Sequence, residues 1–276
     1  MLMFPTIITI LSYFQSSCQG DIGKSFLSSK QNHQETCTPL DCGADDKMSS
    51  SHPSSALVLY APPSFLEPFQ QKRRTFKLSG QVVHIHQKWN ELGVAAVVWD
   101  AAIVLSEYLE QEVLTGRLKI NDKTIIELGA GTGLVSMAVA LLGGYVISTD
   151  RQQALSILEE NIKANLDGPL ESARGAVTVK KLDWEESAQE FSNTFDLILG
   201  ADIIYIEETF SKLLSTIKAL SSNSSKVILS CRIRYDRDTR FLTMLGEFFT
   251  VSKVYTDEAR GIDIYEAISV DTVAND

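Results

Sequence analysis

The stretch that most constrains this chain is "TIIELGAGTGLVSMAVALLGG", residues 124–144. A short β-forming run meets three glycines at alternate positions, and an apolar helical run follows. A strand that turns into a helix through bare backbone specifies a βα unit. The turn needs conformations that a Cβ resists, and it lets a ligand approach the main chain. The spacing then narrows the ligand. A dinucleotide loop needs G-x-G-x-x-G, but Gly129, Gly131 and Gly133 stand as G-x-G-x-G and position 134 is Leu134. No G-K-S/T follows, so this is not a phosphate P-loop. The loop suits a ligand without a pyrophosphate.

Asp150 ends the next predicted strand. A carboxylate there accepts hydrogen bonds from two ribose hydroxyls. Loop and carboxylate together read as a nucleoside site. S-adenosylmethionine fits them, with its ribose, its lack of phosphate and its cationic sulfonium. Glu127, just before the first glycine, is expected to set a carboxylate near the sulfonium and the α-amino group. The plainer alternative is a strand-end glutamate that bonds backbone donors.

Strands are expected at 124–128, 145–149, 176–181, 195–200, 226–231, about 248–255 and about 262–269. Helices are expected at 133–142, 152–164, 207–220 and about 237–246. An earlier helix starts near Trp99 or Asp100, with Asp100 a candidate cap; Ala102, Leu105, Leu109 and Val113 share one side of it. The alternation predicts an α/β fold, a parallel sheet with helices on both faces. No helix fits between the last two strands, so they pair antiparallel. "RTFKLSGQVVHIHQKW", 74–89, is a β-hairpin turning at Ser79-Gly80. His84 and His86 share one face of it and read as solvated edge residues rather than metal ligands.

A formal net charge of −10 argues against nucleic acid as the main partner, since phosphates need clustered Lys and Arg. Cys18, Cys37, Cys42 and Cys231 form no C-x-x-C pair, so no zinc site is expected. Residues 1–20 carry no charged side chain, yet the apolar run is too short and interrupted to span a bilayer. A signal peptide is the minor alternative. Residues 1–55 are expected to be a disordered leader or an extension preceding a start such as Met48. The "APPSFLEPF" segment, 61–69, is a Pro-punctuated loop, and 56–276 is the folded domain. A cytoplasmic monomer without membrane contact is expected.

The segments "VVWDAA", "ELGAGTGLVSMAVALLG", "LDW", "GADIIY" and "CRIRYDRD" closely resemble the seven-β-strand protein lysine methyltransferases, over residues 57–268. The nearest likeness is to members that methylate a lysine of Hsp70-type chaperones. The resemblance implies a Rossmann-like, seven-stranded class I methyltransferase sheet whose last strand is antiparallel. It implies S-adenosylmethionine as cofactor and an Hsp70-type chaperone as protein substrate. Residue by residue, it implies that Trp99 lines the cofactor's methionine end and that Gly129, Ala130 and Gly131 approach it by their main chain. Asp150 would hold the ribose, Asp183 and Trp184 would border the adenine, and Ala201 and Asp202 would lie beside the methyl group. Tyr205 would be an aromatic wall or a hydroxyl acceptor. Competing readings are a methyltransferase of another protein or a small molecule, and a binding module that kept the fold.

A lysine must lose its proton before it attacks. Burial lowers its pKa, whereas a neighbouring carboxylate raises it. Asp202 is therefore expected to orient the amine and stabilise the cationic product, with water taking the proton. Trp99, Trp184 and Tyr205 could instead be packing residues, and the "CRIRYDRD" loop a solvated one.

Overall fold

The computed structural model describes residues 66–166, 175–186, 188–191 and 194–269. The expected leader, with Cys18, Cys37 and Cys42, lies outside these residues. The described part of 61–69 is a helical turn, Glu67–Gln70, with Phe69 buried, rather than an open loop. Gln87 is buried and ties this turn down. Its side-chain amide donates to the carbonyls of Pro68 and Gln71 at 2.8 Å each, while its Oε1 accepts from the Val98 N–H at 2.8 Å.

The hairpin is present as β1 (Arg73–Leu78) and β2 (Gln81–His86), paired antiparallel from Arg73↔His86 to Leu78↔Gln81. Ser79 and Gly80 turn it with φ of 48° and 77°. Two left-handed residues give the loop a twist that matches the flanking strands. Val83 and Ile85 point into the core, and His84 and His86 are half-buried.

The main sheet contains β3 (Thr124–Leu128), β4 (Tyr145–Asp150), β5 (Ala176–Lys181), β6 (Leu197–Ala201), β7 (Lys226–Cys231), β8 (Phe249–Asp257) and β9 (Ile262–Ser269). Their order is β5-β4-β3-β6-β7-β9-β8. The first five are parallel, and β9 runs antiparallel to both β7 and β8. The chain winds outward from β3 to β5, then returns to the other side of β3 as β6. Open sheets bind ligands at such a reversal, beyond the carboxyl ends of the strands.

Helices α1 (Asp100–Leu114), α2 (Leu134–Leu141) and α3 (Gln152–Leu166) cover one face; α4 (Phe210–Leu220) and α5 (Asp236–Gly246) cover the other. Strand alternation divides the core accordingly. Ile125 packs with Leu105, Leu109 and Val139, whereas Ile126 and Leu128 pack with Leu213, Ile217 and Phe241. The expected helix 207–220 divides into a short 3₁₀ turn, Glu207–Thr209, and α4. Asp100 is not the cap of α1. Trp99 occupies that position without a side-chain bond, and Asp100 is the first helical residue. Its carboxylate suits the positive end of the helix and meets Arg232 Nη2 at 3.3 Å.

The hairpin is fastened to the domain by two asparagines one helical turn apart on α3. Asn161 Oδ1 accepts from the His86 N–H at 2.8 Å, and its amide donates back to the His86 carbonyl at 3.1 Å. Asn165 does the same to His84, at 2.8 and 2.9 Å. The side-chain amides thus replace a neighbouring strand along β2. Asn161 also donates to the Thr132 carbonyl at 3.2 Å, which joins hairpin, helix and glycine loop at one fully buried residue. Asn161→Ala leaves three buried backbone groups without this partner. It is expected to lower unfolding stability by roughly 2–4 kcal/mol, against about 0.5 kcal/mol or less for His84→Ala. Urea unfolding of both variants checks this; equal small losses would contradict the role of Asn161.

Candidate active site

The site forms where the loops after β3, β4, β5 and β6 converge. Gly129 and Gly131 have φ of 66° and 54°, in the left-handed region that side chains resist. Space around both glycines is also tight. A Cβ on Gly129 would lie 2.9 Å from Ile203 Cγ2 and 3.6 Å from the Trp184 ring. A Cβ on Gly131 would lie 3.1 Å from the Ala95 carbonyl oxygen. The structure therefore brings "ELGAGTG", "LDW" and "GADIIY" together, although as many as 74 residues separate Gly129 from Ile203 along the chain.

Asp150 closes the loop. Its Oδ2 accepts from the Gly131 N–H at 2.8 Å, and its Oδ1 accepts from the Arg151 N–H at 2.7 Å. Burial pushes this carboxyl up, against the pull of the two donors. Each oxygen keeps a further lone pair, enough to accept two ribose hydroxyls. Ala130 donates its N–H to the Thr149 carbonyl at 2.9 Å and buries its methyl group in the core beside Leu134.

Trp184 is half-buried and packs against the largest core cluster. Asp183 shapes the turn before it, with Oδ1 accepting from the Glu185 N–H at 3.1 Å. Trp99 packs against Phe69 with ring centroids 5.0 Å apart and planes tilted by 44°, and donates Nε1–H to the Val94 carbonyl at 2.9 Å. It anchors the segment that presents Ala95 to Gly131. Among the residues that the sequence did not single out, Ile203 and Ala95 carry no polar signal.

Ala201 ends β6, and Asp202 follows with φ of 52°. A non-glycine residue held there is strained and marks a position fixed by its surroundings. The Asp202 N–H donates to the Ser230 carbonyl at 2.8 Å. Its carboxylate receives both arms of the Arg234 guanidinium, Nη1 to Oδ1 at 3.2 Å and Nη2 to Oδ2 at 3.1 Å. Both side chains are about 10% exposed. Tyr205 is half-buried three residues on. The "CRIRYDRD" loop is engaged rather than freely solvated. Arg232 reaches Asp100 and the Arg260 carbonyl, and Asp238 Oδ2 accepts from the Arg234 and Tyr235 N–H groups.

A family model described as lysine methyltransferase matches residues 77–248. The chain belongs to the lysine methyltransferase family. It is 48% identical to protein N-lysine methyltransferase METTL21A of Mus musculus over 203 residues, which cover 73% of this chain and 90% of that protein. It is 46% identical to the Danio rerio protein of the same name, across 74% and 90% of the two chains. It is 35% identical to EEF1A lysine methyltransferase 3 of Mus musculus, across 74% and 84%. The fold is shared with the T. thermophilus ribosomal RNA methyltransferase RsmC, solved with AdoMet and guanosine. That likeness has a TM-score of 0.52 and 15% identity, and covers 72% of this chain and 50% of the other. The protein is an S-adenosylmethionine-dependent protein lysine methyltransferase. Its residues fit the cofactor. The loop is tight at its glycines, Asp150 has spare lone pairs, Trp184 offers an aromatic wall, and residues 129–134 include no Lys or Arg to bind a phosphate.

Glu127 departs from expectation. It shares a strand face with Ile125, so it points under α2 rather than at the loop's ligand. Its carboxyl is about 1% exposed and bonds the Ser136 hydroxyl, which lies 2.7 Å from Ser148 Oγ. Burial pushes it up to about 8, against the hydrogen bond from Ser136. A carboxyl that is mostly neutral at pH 7 supplies little attraction to a sulfonium, so the expected charge contact is withdrawn. The sign of the pH effect follows. Below about 4.5, its ordinary value, folded and unfolded states are both protonated. As pH rises to about 8, the unfolded chain ionises first and the folded state loses stability relative to it. Glu127→Gln cannot titrate. Its stability relative to the parent is expected to rise by a few kcal/mol, roughly, between pH 5 and pH 8.5. Urea unfolding across that range checks it; a constant difference would contradict a neutral buried carboxyl.

Proposed function

We propose that this protein methylates a lysine of Hsp70-type chaperones, acting as a cytoplasmic monomer. One observation supports the reading most. The segments that resemble the chaperone-directed members of the family converge, with Trp184 and Ile203 both against Gly129 and Asp202 next along the chain. The METTL21A relatives, at 46–48% identity, are named as protein N-lysine methyltransferases, which supports a lysine acceptor.

When bound, S-adenosylmethionine supplies a methyl group already activated on sulfonium, so the protein's task is position and desolvation. Asp150 would hold the ribose through its free lone pairs, and Trp184 would shield the adenine from water. The main chain of Gly129 and Gly131 would pass along the ligand. On the acceptor side, the Asp202 carboxylate would accept an N–H of the lysine amine. That leaves the nitrogen lone pair free to face the methyl group, and the carboxylate then stabilises the charge that develops on nitrogen. Tyr205 would wall the amine channel. The proton leaves to water before attack.

Purified Hsp70-type chaperone incubated with the protein and methyl-labelled cofactor is expected to gain label on lysine, located by mass spectrometry. Asp202→Asn is expected to slow transfer about 10- to 100-fold, the worth of a charge-assisted hydrogen bond, with S-adenosylhomocysteine affinity unchanged. Label appearing on some other protein of a cell extract, with none on the chaperone, would sink the substrate assignment. A full rate in Asp202→Asn would sink the role of Asp202.

A further inference from the structure

The acceptor side poses an electrostatic problem that Asp202 alone makes worse. A lone carboxylate beside an incoming lysine favours the ammonium form, typically by about 1–3 pH units at 4–6 Å, and an ammonium has no lone pair to attack with. Asp202 is not alone. Arg234 grips both of its oxygens in the two-armed pair described above, in a setting where each side chain is about 10% exposed. Arg234 is in turn held from behind, since its own backbone N–H donates to Asp238 Oδ2 at 2.9 Å and Asp238 is fully buried. At Asp202, the left-handed backbone and the N–H bond to the Ser230 carbonyl complete the clamp.

We propose that Arg234 is a positioning residue for methyl transfer: by cancelling the charge of Asp202 while leaving its outer lone pairs available, it lets the acceptor lysine sit at the site as the free amine. The two demands on Asp202 are then compatible. It still accepts an N–H and still has electron density for the charge that develops on nitrogen, but the pair as a whole presents no net charge to the incoming side chain. Lysine in place of Arg234 keeps the charge and loses the fork, because an ammonium is a point donor whereas a guanidinium matches a carboxylate at two points.

The groups around the pair do not supply this effect. Cys231 at the end of β7 lies within electrostatic reach of Asp202 and Arg234, and Tyr265 on β9 lies near Cys231 and Asp263; burial pushes both groups upward, so they stay neutral through the working range. Asp238 on α5 and Asp263 on β9 add negative charge near Cys231. Asp100 on α1 is paired with Arg232, and Glu207, beyond Tyr205 on the same loop, with Arg240. Glu127 titrates near pH 8 but lies under α2. It is common to parent and variants, so it cancels in a comparison between them.

The proposal rests on Asp202 facing the acceptor amine, and the experiment separates the two ideas. The rate of methyl transfer is measured from pH 6 to pH 10.5 at saturating cofactor and acceptor, where the profile reports groups in the enzyme–substrate complex. The acceptor is the purified Hsp70-type chaperone or, should that take no label, the labelled protein isolated from extract, so the substrate assignment can fail without touching this test. Arg234→Gln is expected to move the rising limb upward by about 1–2 pH units. The rate would fall about ten- to a hundredfold at pH 7 and recover toward pH 10. Arg234→Lys is expected to lower the plateau but keep the limb where the parent has it. Removing both charges, with Asp202→Asn and Arg234→Gln together, is expected to return the limb to the parent position at a reduced plateau; this variant buries no unpaired charge and covers the case in which Arg234→Gln does not fold. A loss by the same factor at every pH in Arg234→Gln would mean a structural role only and would overturn the proposal. So would a limb in the double variant that stays displaced. If Asp202→Asn alone has a normal rate and profile, the placement of the amine at Asp202 fails, and this proposal fails with it.

Discussion

The hydrogen bond from the Gly131 N–H to Asp150 Oδ2, at 2.8 Å, is the contact on which the rest of the site depends. It joins the loop after β3 to the end of β4 and holds two glycines in left-handed conformations that no other residue would adopt cheaply. The shaped loop then sets what can stand beside it. Ala95 comes from one side, and Ile203 and Trp184 from the other, each at a distance that a single Cβ would close. Asn161 supports the arrangement from beneath through the Thr132 carbonyl, and passes the same support to the hairpin. The glycine loop is therefore shaped mainly by backbone geometry and close neighbours.

The rim around Asp202 is organised by paired charges. Asp202 follows β6 in a strained conformation, and Arg234 of the segment after β7 pairs with its carboxylate. Arg232 of the same loop pairs with Asp100, and buried Asp238 at the start of α5 accepts from the backbone N–H of Arg234. Paired charge at this rim is consistent with a reaction whose nucleophile must be uncharged and whose product is a cation. Such a pair provides local polarity without a net field on the amine.

Much of the fold was legible because its signals are local. The β4 start at Tyr145, the β9 span Ile262–Ser269 and the Ser79-Gly80 turn follow from strand alternation and from residues that accept positive φ. The glycine spacing excluded dinucleotides for the same reason. What was not legible depends on partners far along the chain. Asn161 and Asn165 look like ordinary helix-surface polar residues, and only their apposition to β2 turns them into a substitute strand. Arg234 reads as one of several arginines in a mixed-charge loop until Asp202 is placed opposite it, 32 residues away in sequence. Glu127 shows the converse failure. Its position before the first glycine pointed to a ligand contact, but strand parity turns it toward Ser136 and burial pushes its carboxyl up to about 8. Position along a chain does not say which face a side chain takes at a strand end.

The glycine loop clamped by Asp150 is read as the cofactor site. Calorimetric titration of S-adenosylhomocysteine into the parent and into Gly131→Ala tests it most directly. A methyl group there would meet the Ala95 carbonyl at 3.1 Å on a backbone with φ of 54°. The account predicts tight binding to the parent and at least roughly tenfold weaker binding to the variant, from about 1–2 kcal/mol of backbone strain plus the displaced contact. Circular dichroism of the variant should show the fold retained. Equal affinity in the two proteins, with the fold intact, would contradict the account.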